Sequence, residues 1–232
     1  SIIVSIISGL KLYNNITEIN FSSNSIGKKG CFWLGTLFKT NPNIYNLDLS
    51  KCNLNNDCLN MLIEGTMFMD DKLNDHQFNL ERLNLKDNQI TDITSNAFEH
   101  PLCLILRKFK LKWLNLTNAK IGNSGACKFL ETYLELMKEQ KIFMQTLILI
   151  SNNMGNEKYL SYLGKIISQK NNTLENLVLN KNYISTIPRE QEQNNAENKN
   201  VITPDIPQIR EKVESTEKYD YFNKFMENVA DS

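Results

Sequence analysis

Residues 80–90 have the sequence LERLNLKDNQI, and this stretch decides the fold. Aliphatic side chains stand at its first, fourth, sixth and eleventh positions, and Asn88 stands at its ninth. The alternation Leu83-x-Leu85 predicts a short β-strand whose leucines share one face, because successive side chains of a strand point to opposite sides. An asparagine placed directly after such a strand can bond turn backbone that has no strand partner. The stretch therefore predicts a strand followed by a turn that Asn88 supports.

The same pattern occurs six times in the chain. Its other copies occupy residues 16–26, 44–54, 111–121, 144–154 and 174–184. Their first positions are 28 to 36 residues apart, and a period of this length indicates a solenoid of stacked repeats. One repeat cannot enclose its own apolar face, so each inward aliphatic side chain contributes roughly 1.5–3 kcal/mol only against neighbouring repeats. We therefore expect the central leucines to line up as parallel neighbours: Leu47, Leu83, Leu114, Leu147 and Leu177.

The segments between these strands are long enough to hold helices. Apolar residues recur at three-to-four spacing in residues 30–40 and 124–141, which is the period of an amphipathic helix. Residues 1–13 predict the helix of an earlier repeat, because their isoleucine and leucine side chains share one helical face. No polar cap precedes that helix, so we expect further protein or a partner to cover this end. Residues 65–79 predict a solvated loop that lengthens the second repeat.

The ninth position of the pattern predicts a ladder of hydrogen bonds along the solenoid. Asparagine occupies it in four repeats, and Cys52 is the usual substitute in another. Ala119 occupies it in the remaining repeat, and we expect the ladder to be weakest there because alanine forms no side-chain hydrogen bond. The predicted ladder consists of Asn24, Cys52, Asn88, Asn152 and Asn182.

In these features the chain resembles leucine-rich-repeat proteins of the ribonuclease-inhibitor-like subclass, whose repeats pair a strand with a full helix. Gly30 and Gly125 follow Ile26 and Ile121 by four residues, where that family has a small residue. The resemblance covers residues 1–187. It implies an α/β fold: a leucine-rich-repeat solenoid, shaped as a curved horseshoe, with parallel strands on the concave face and helices on the convex face.

The composition changes beyond the repeats. Residues 188–207 predict a flexible polar linker, since residues 188–200 are almost wholly polar and rich in asparagine, glutamine and glutamate. Residues 208–232 predict an amphipathic C-terminal helix or tail, because their apolar side chains broadly follow one helical face. This tail either closes the end of the solenoid or binds a partner.

Composition and charge restrict the class of partner and the compartment. The 26 basic residues balance 26 acidic ones, so no net field attracts nucleic acid or an anionic membrane. The apolar run of residues 1–12 is much shorter than the roughly 20 residues that a membrane span needs. Five cysteines without paired spacing indicate free thiols in a reducing compartment. We therefore expect a cytoplasmic protein that binds neither nucleic acid nor membrane.

The residues available for catalysis or metal binding form no recognisable site. The chain has two histidines, His76 and His100, and no catalytic motif surrounds either of them in the sequence. Cys103 lies near His100 in sequence, yet a nucleophile needs a base oriented by a third group, so we expect a buried helix thiol. The acidic cluster of residues 70–76 has no regular ligand spacing for a hard cation; its candidate ligands are Asp70, Asp71, Asp75 and His76. The sequence predicts no enzyme, no metal and no cofactor.

Protein binding on the concave sheet is the function that the pattern favours. The residues flanking the central leucines face outwards; they are polar in the first three repeats and include large apolar side chains in the last three. Contiguous exposed apolar surface marks contacts, and tryptophan and arginine often carry interface energy. The predicted partner-binding residues are Trp113, Ile148, Ile150 and Val178, with Arg82, Asp48 and Lys86 setting register. The alternative is that the chain's own tail helix covers this patch.

The resemblance implies a non-enzymatic scaffold within a larger intracellular assembly. Related repeats serve in ciliary and axonemal complexes, in immune sensors and in Ran GTPase-activating proteins. The composition, heavy in asparagine, isoleucine and lysine, resembles that of proteins from AT-rich protist genomes and favours a ciliary or axonemal assembly. The alternative function is a GTPase activator resembling the Ran-activating family, whose markedly acidic tail this chain lacks.

Overall fold

The structure is a computed structural model that describes residues 2–13, 15–68, 77–91 and 99–182. These residues belong to one compact unit, Ser1–Tyr183. The predicted linker (188–207) and tail helix (208–232) lie outside the described residues.

Strands and helices alternate along the described chain. Each described strand has three residues, and within the described ranges one helix lies between each strand and the next. In chain order the elements are α1 (Ile2–Leu10), β1 (Glu18–Asn20), α2 (Gly27–Thr40), β2 (Asn46–Asp48), α3 (Asn56–Met67), β3 (Arg82–Asn84), α4 (Pro101–Lys108), β4 (Trp113–Asn115), α5 (Gly122–Lys138), β5 (Thr146–Ile148), α6 (Glu157–Ile167) and β6 (Asn176–Val178).

The six strands form one parallel sheet whose strand order follows the chain, from β1 to β6. Their central residues pair in one continuous row: Ile19, Leu47, Leu83, Leu114, Leu147 and Leu177. The first five of these side chains are buried, and the last is half-buried. This row confirms the predicted aliphatic spine, and the fold is a leucine-rich-repeat solenoid.

A left-handed turn follows every strand at the eighth position of the pattern. The backbone φ there lies between 51° and 62° in all six repeats, at Ser23, Lys51, Asp87, Asn118, Ser151 and Lys181. This conformation costs roughly 1–2 kcal/mol per residue for an L-amino acid. It turns the backbone N–H across to the next repeat: the N–H of Lys51 donates to the carbonyl of Lys86 at 2.9 Å, and that of Asp87 to the carbonyl of Thr117 at 2.8 Å. Each turn therefore extends the ladder of parallel hydrogen bonds beyond the strand itself.

Asn88 shows how the ninth position connects two repeats. Its Oδ1 accepts from the N–H groups of Cys52, at 3.2 Å, and Leu54, at 2.9 Å. Its Nδ2 donates to the carbonyls of Leu49 and Leu85, both at 2.9 Å. Asn88 is 1% exposed, so these bonds supply partners to backbone groups that water does not reach.

The other ninth positions extend this ladder unevenly. Asn152 and Asn182 donate to the carbonyls of the preceding repeats, Leu116 and Leu149 respectively, both at 2.7 Å. The thiol of Cys52 donates to the carbonyl of Phe21 in the same manner, at 3.1 Å. Ala119 has no side-chain oxygen to accept a hydrogen bond. Its backbone carbonyl accepts instead from the N–H of Ile90 in the preceding repeat, at 2.8 Å.

Asn24 differs from its prediction as a buried member of the ladder. It is exposed, and its Nδ2 donates only within its own repeat, to the carbonyls of Phe21 and Ser22, both at 3.1 Å. The reason is its place in the sheet: β1 is the first strand among the described residues, so no preceding turn lies within its reach.

The helices α2 and α3 touch through their backbones. A β-carbon built on Gly35 would lie 2.0 Å from the carbonyl oxygen of Leu62, and one built on Gly65 would lie 2.0 Å from that of Phe32. The sequence placed Gly65 at the start of a solvated loop, and that assignment is wrong: Gly65 is buried within α3, which ends at Met67. Because Gly35 and Gly65 have no side chains, the two helices can approach this closely. The apolar pattern within one repeat does not indicate a contact between helices of two repeats.

Candidate functional site

The outward residues of the six strands form two columns on one side of the sheet. The inward side chain in the middle of each strand, buried in β1 to β5 and half-buried in β6, separates the two columns. We call this side of the sheet the strand face. Its first column is Glu18, Asn46, Arg82, Trp113, Thr146 and Asn176, and its second is Asn20, Asp48, Asn84, Asn115, Ile148 and Val178. The register brings together the columns that the sequence predicts.

The first two strands carry a hydrogen-bonded polar network. Glu18 accepts from the hydroxyl of Tyr45 at 2.6 Å and from Nδ2 of Asn46 at 2.7 Å. These two hydrogen bonds hold the pKa of the Glu18 carboxyl below its usual value. An open depression spans this network and β3, and it reaches the ring of Trp113 in β4.

The polar residues of the second column support their own turns. In β1 to β4 the side-chain Oδ1 accepts from the backbone N–H two residues further on, at 2.8 to 3.2 Å. Asp48 also accepts from Nδ2 of Asn84 at 3.0 Å, so both of its carboxylate oxygens have partners inside the sheet. The four residues that make this turn are Asn20, Asp48, Asn84 and Asn115. The sequence predicted that Asp48 sets the register of a bound partner and did not predict this turn-supporting role. The preference of Asn and Asp for such turns could have indicated it.

The second column changes character at β5 and β6. Ile148 and Val178 are paired neighbours there, and neither side chain can make the turn bond. Trp113 lies diagonally from Ile148, a separation that an aromatic side chain can reach. Ile150, two residues beyond Ile148, is half-buried, as are the other three. We call Trp113, Ile148, Ile150 and Val178 the apolar patch.

Arg82 lies at the border between the polar and the apolar parts of the strand face. Its guanidinium carbon is 4.5 Å from the centroid of the Trp113 ring, which is a cation–π contact. The salt bridges within the described part of the chain include neither Arg82 nor Lys86. The charge of Arg82 also contributes to the lowered pKa of the Glu18 carboxyl, after the hydrogen bonds from Tyr45 and Asn46.

The candidate catalytic residues, His100 and Cys103, take part in the capping and packing of α4. His100 precedes α4 and caps its start: Nδ1 accepts from the N–H of Leu102 at 3.3 Å, and Nε2 lies 3.3 Å from the carbonyl of Thr91. Cys103 is buried in α4, as expected, and burial raises the pKa of its thiol to about 11. A thiol in this state is protonated at neutral pH and is a poor nucleophile.

The described ranges contain neither a metal-binding cluster nor a membrane-spanning helix. Asp70, Asp71, Asp75 and His76, the candidate cation ligands, lie outside them. Within those ranges no three histidine, cysteine or acidic side chains cluster as a metal site would require. No helix in the same ranges combines the length and the apolar character of a membrane span.

Comparison with known proteins gives similarities among solved structures. No protein-family model and no curated protein matches the sequence. A solved internalin from Listeria monocytogenes is similar at 14% identity over 78% of this chain, with a TM-score of 0.25. The similarity spans 66% of the internalin chain. The fold assignment rests on the sheet register and the repeat spacing of this chain.

Proposed function

We propose that this chain is a non-enzymatic interaction protein of the ribonuclease-inhibitor-like subclass, which binds another protein on its strand face. The helices support the subclass, because α2 has 14 residues and α5 has 17, long enough for the strand-plus-helix repeat. The apolar patch carries the proposal of binding. In the second column, polar residues support the turns of β1 to β4. Ile148 and Val178 replace them in β5 and β6, and their apolar side chains form no hydrogen bond in the sheet.

The two parts of the strand face have different roles in this proposal. The partner buries apolar side chains against Trp113 and Ile148, which supply the affinity, since large buried side chains near the centre of an interface dominate its energy. Arg82 and Lys86 set the register through charge, because cations at a rim direct orientation more than they add affinity. Asp48 orders Asn84 and its own turn, and its contribution to binding is indirect.

The proposed setting is a larger cytoplasmic assembly, with a ciliary or axonemal complex as the specific case. The balanced charge of the chain, 26 basic against 26 acidic residues, supports a protein partner over nucleic acid or membrane. All five cysteines are free and buried, as suits a reducing compartment.

The proposal predicts that replacing both Ile148 and Ile150 with serine weakens partner binding about 10- to 100-fold, since each truncated contact costs about 1 kcal/mol or more. The fold is expected to persist, because both side chains are half-exposed on the strand face. Affinity purification with mass spectrometry identifies the partner. Calorimetry with the purified partner then gives the dissociation constant of each variant.

The matched control is Leu104→Ser, which removes a half-buried aliphatic side chain from α4 on the helix side of the solenoid. It is expected to bind the partner like the original chain. Equal dissociation constants for the double variant and the original chain would reject the strand face as the binding site. A loss of binding in Leu104→Ser alone would place the interface on the helices instead.

A further inference from the structure

Two cysteines face each other across the contact between α2 and α3. Cys31 in α2 lies one helical turn before Gly35, and Cys58 in α3 lies one turn before Leu62. Gly35 and Leu62 mark the closest approach of the two helices. On the other side of the cysteines, Nζ of Lys28 lies 2.6 Å from Oδ2 of Asp57 and joins the same two helices. The cysteines thus lie between two direct contacts that join α2 to α3.

The two cysteines are free and are not bonded covalently. A side-chain hydrogen bond with Cys31 has the largest influence on the pKa of Cys58, and the reverse holds for Cys31. Cys31 is 0% exposed and Cys58 is 5% exposed. A disulfide needs β-carbons about 3.5–4.5 Å apart on facing backbones, and α2 approaches the backbone of α3 at Gly35, one turn beyond Cys31.

The surroundings give the two sulfurs different roles. The hydrogen bond from Cys31 lowers the pKa of Cys58 to about 6, assisted by the backbone at Asn55 and by Lys28, against the opposing effects of burial and Asp57. The same hydrogen bond and burial raise the pKa of Cys31, with smaller contributions from the Cys58 and Cys52 sulfurs. Cys58 is therefore the more readily ionised of the two thiols, and Cys31 is the one that keeps its proton longer as the pH rises.

We propose that Cys31 and Cys58 are a peroxide-sensitive thiol pair that closes into an intramolecular disulfide joining α2 to α3. The Cys58 thiolate attacks one oxygen of hydrogen peroxide, which breaks the O–O bond and gives Cys58 sulfenic acid and hydroxide. The Cys31 sulfur then attacks the sulfenic sulfur, and its proton leaves with the hydroxyl as water. The two thiols lose two electrons in total, and one peroxide molecule gains them.

The bond would fix the two helices that already touch through their backbones. Closing a loop of this length constrains the unfolded chain, so the oxidised protein is expected to melt about 5–10 °C above the reduced protein. Cys52 and Cys103 serve as internal comparisons, because burial raises the pKa of both thiols. Neither is expected to react at low peroxide.

The test treats the full chain with increasing hydrogen peroxide, unfolds it in denaturant with N-ethylmaleimide to block the remaining thiols, and maps the peptides without reduction. A Cys31–Cys58 peptide is expected at the lowest effective dose, while Cys52 and Cys103 carry the blocking group. Repeated between pH 5 and 9, the initial rate should rise with pH and level off below the pH at which an ordinary cysteine ionises, because the pKa of Cys58 is lowered. Simultaneous oxidation of all the cysteines, or sulfinic acid at Cys58 without the cross-link, would overturn the proposal.

Two serine variants separate the attacking thiol from the resolving thiol. Cys31→Ser is expected to accumulate sulfenic acid at Cys58, trapped by dimedone, because the second thiol is missing. Cys58→Ser is expected to leave Cys31 unmodified under the same treatment. Circular dichroism confirms that each variant is folded before oxidation. Dimedone labelling of Cys31 in Cys58→Ser at the rate seen for Cys58 would contradict the assigned roles.

Discussion

Replacing Gly35 with alanine is expected to reduce the free energy of unfolding by about 3 kcal/mol or more, among the largest effects of a single methyl group. The added β-carbon would lie 2.0 Å from the carbonyl oxygen of Leu62 and 2.9 Å from Cα of Gly65. Both are backbone atoms, so no side-chain rotation relieves the overlap and α2 must move away from α3. Urea denaturation followed by circular dichroism measures the loss.

Gly9 provides the matched control for this substitution. It lies in α1, and a β-carbon there would meet nothing within 4 Å. Gly9→Ala is expected to stabilise the chain by roughly 0.5–1 kcal/mol, because alanine loses less backbone entropy in a helix than glycine does. Gly65→Ala should behave like Gly35→Ala, since its β-carbon would lie 2.0 Å from the Phe32 carbonyl. Equal stability of Gly35→Ala and the original chain would show that the helices do not touch here.

The second large effect is expected for Asn88→Ala, with a loss of about 3 kcal/mol in the free energy of unfolding. The substitution leaves the N–H groups of Cys52 and Leu54 and the carbonyls of Leu49 and Leu85 without their side-chain partner. These groups are buried, so water does not replace the asparagine unless the turn opens. Denaturation gives the loss, and amide hydrogen exchange should accelerate first at Cys52 and Leu54.

Asn24→Ala is the control for the ladder prediction. Asn24 occupies the same position of the pattern, but it is exposed and bonds only the carbonyls of Phe21 and Ser22. Its substitution is expected to cost less than about 1 kcal/mol, because water can replace both bonds. Similar losses for Asn24→Ala and Asn88→Ala would mean that burial does not decide the strength of the ladder.

The strand face could be predicted residue by residue, but the role of each residue could not. The side-chain period of a strand is two, so the pattern around Leu83 or Leu147 alone fixes which neighbours face outwards. It does not tell whether an outward polar side chain is available to a partner. Asp48 accepts a hydrogen bond from Asn84, and Arg82 stacks on Trp113, each from the neighbouring repeat. Those partners become known only when the strands are adjacent.

The sequence by itself determined the repeat, the strand positions and the aliphatic spine, because these follow from a periodic pattern within each stretch of eleven residues. Tertiary structure alone decided that α2 and α3 touch at Gly35 and Gly65, and that Cys31 meets Cys58. The distance between neighbouring helices depends on the volumes of side chains from two repeats at once. The pattern within one repeat therefore cannot predict the distance between α2 and α3.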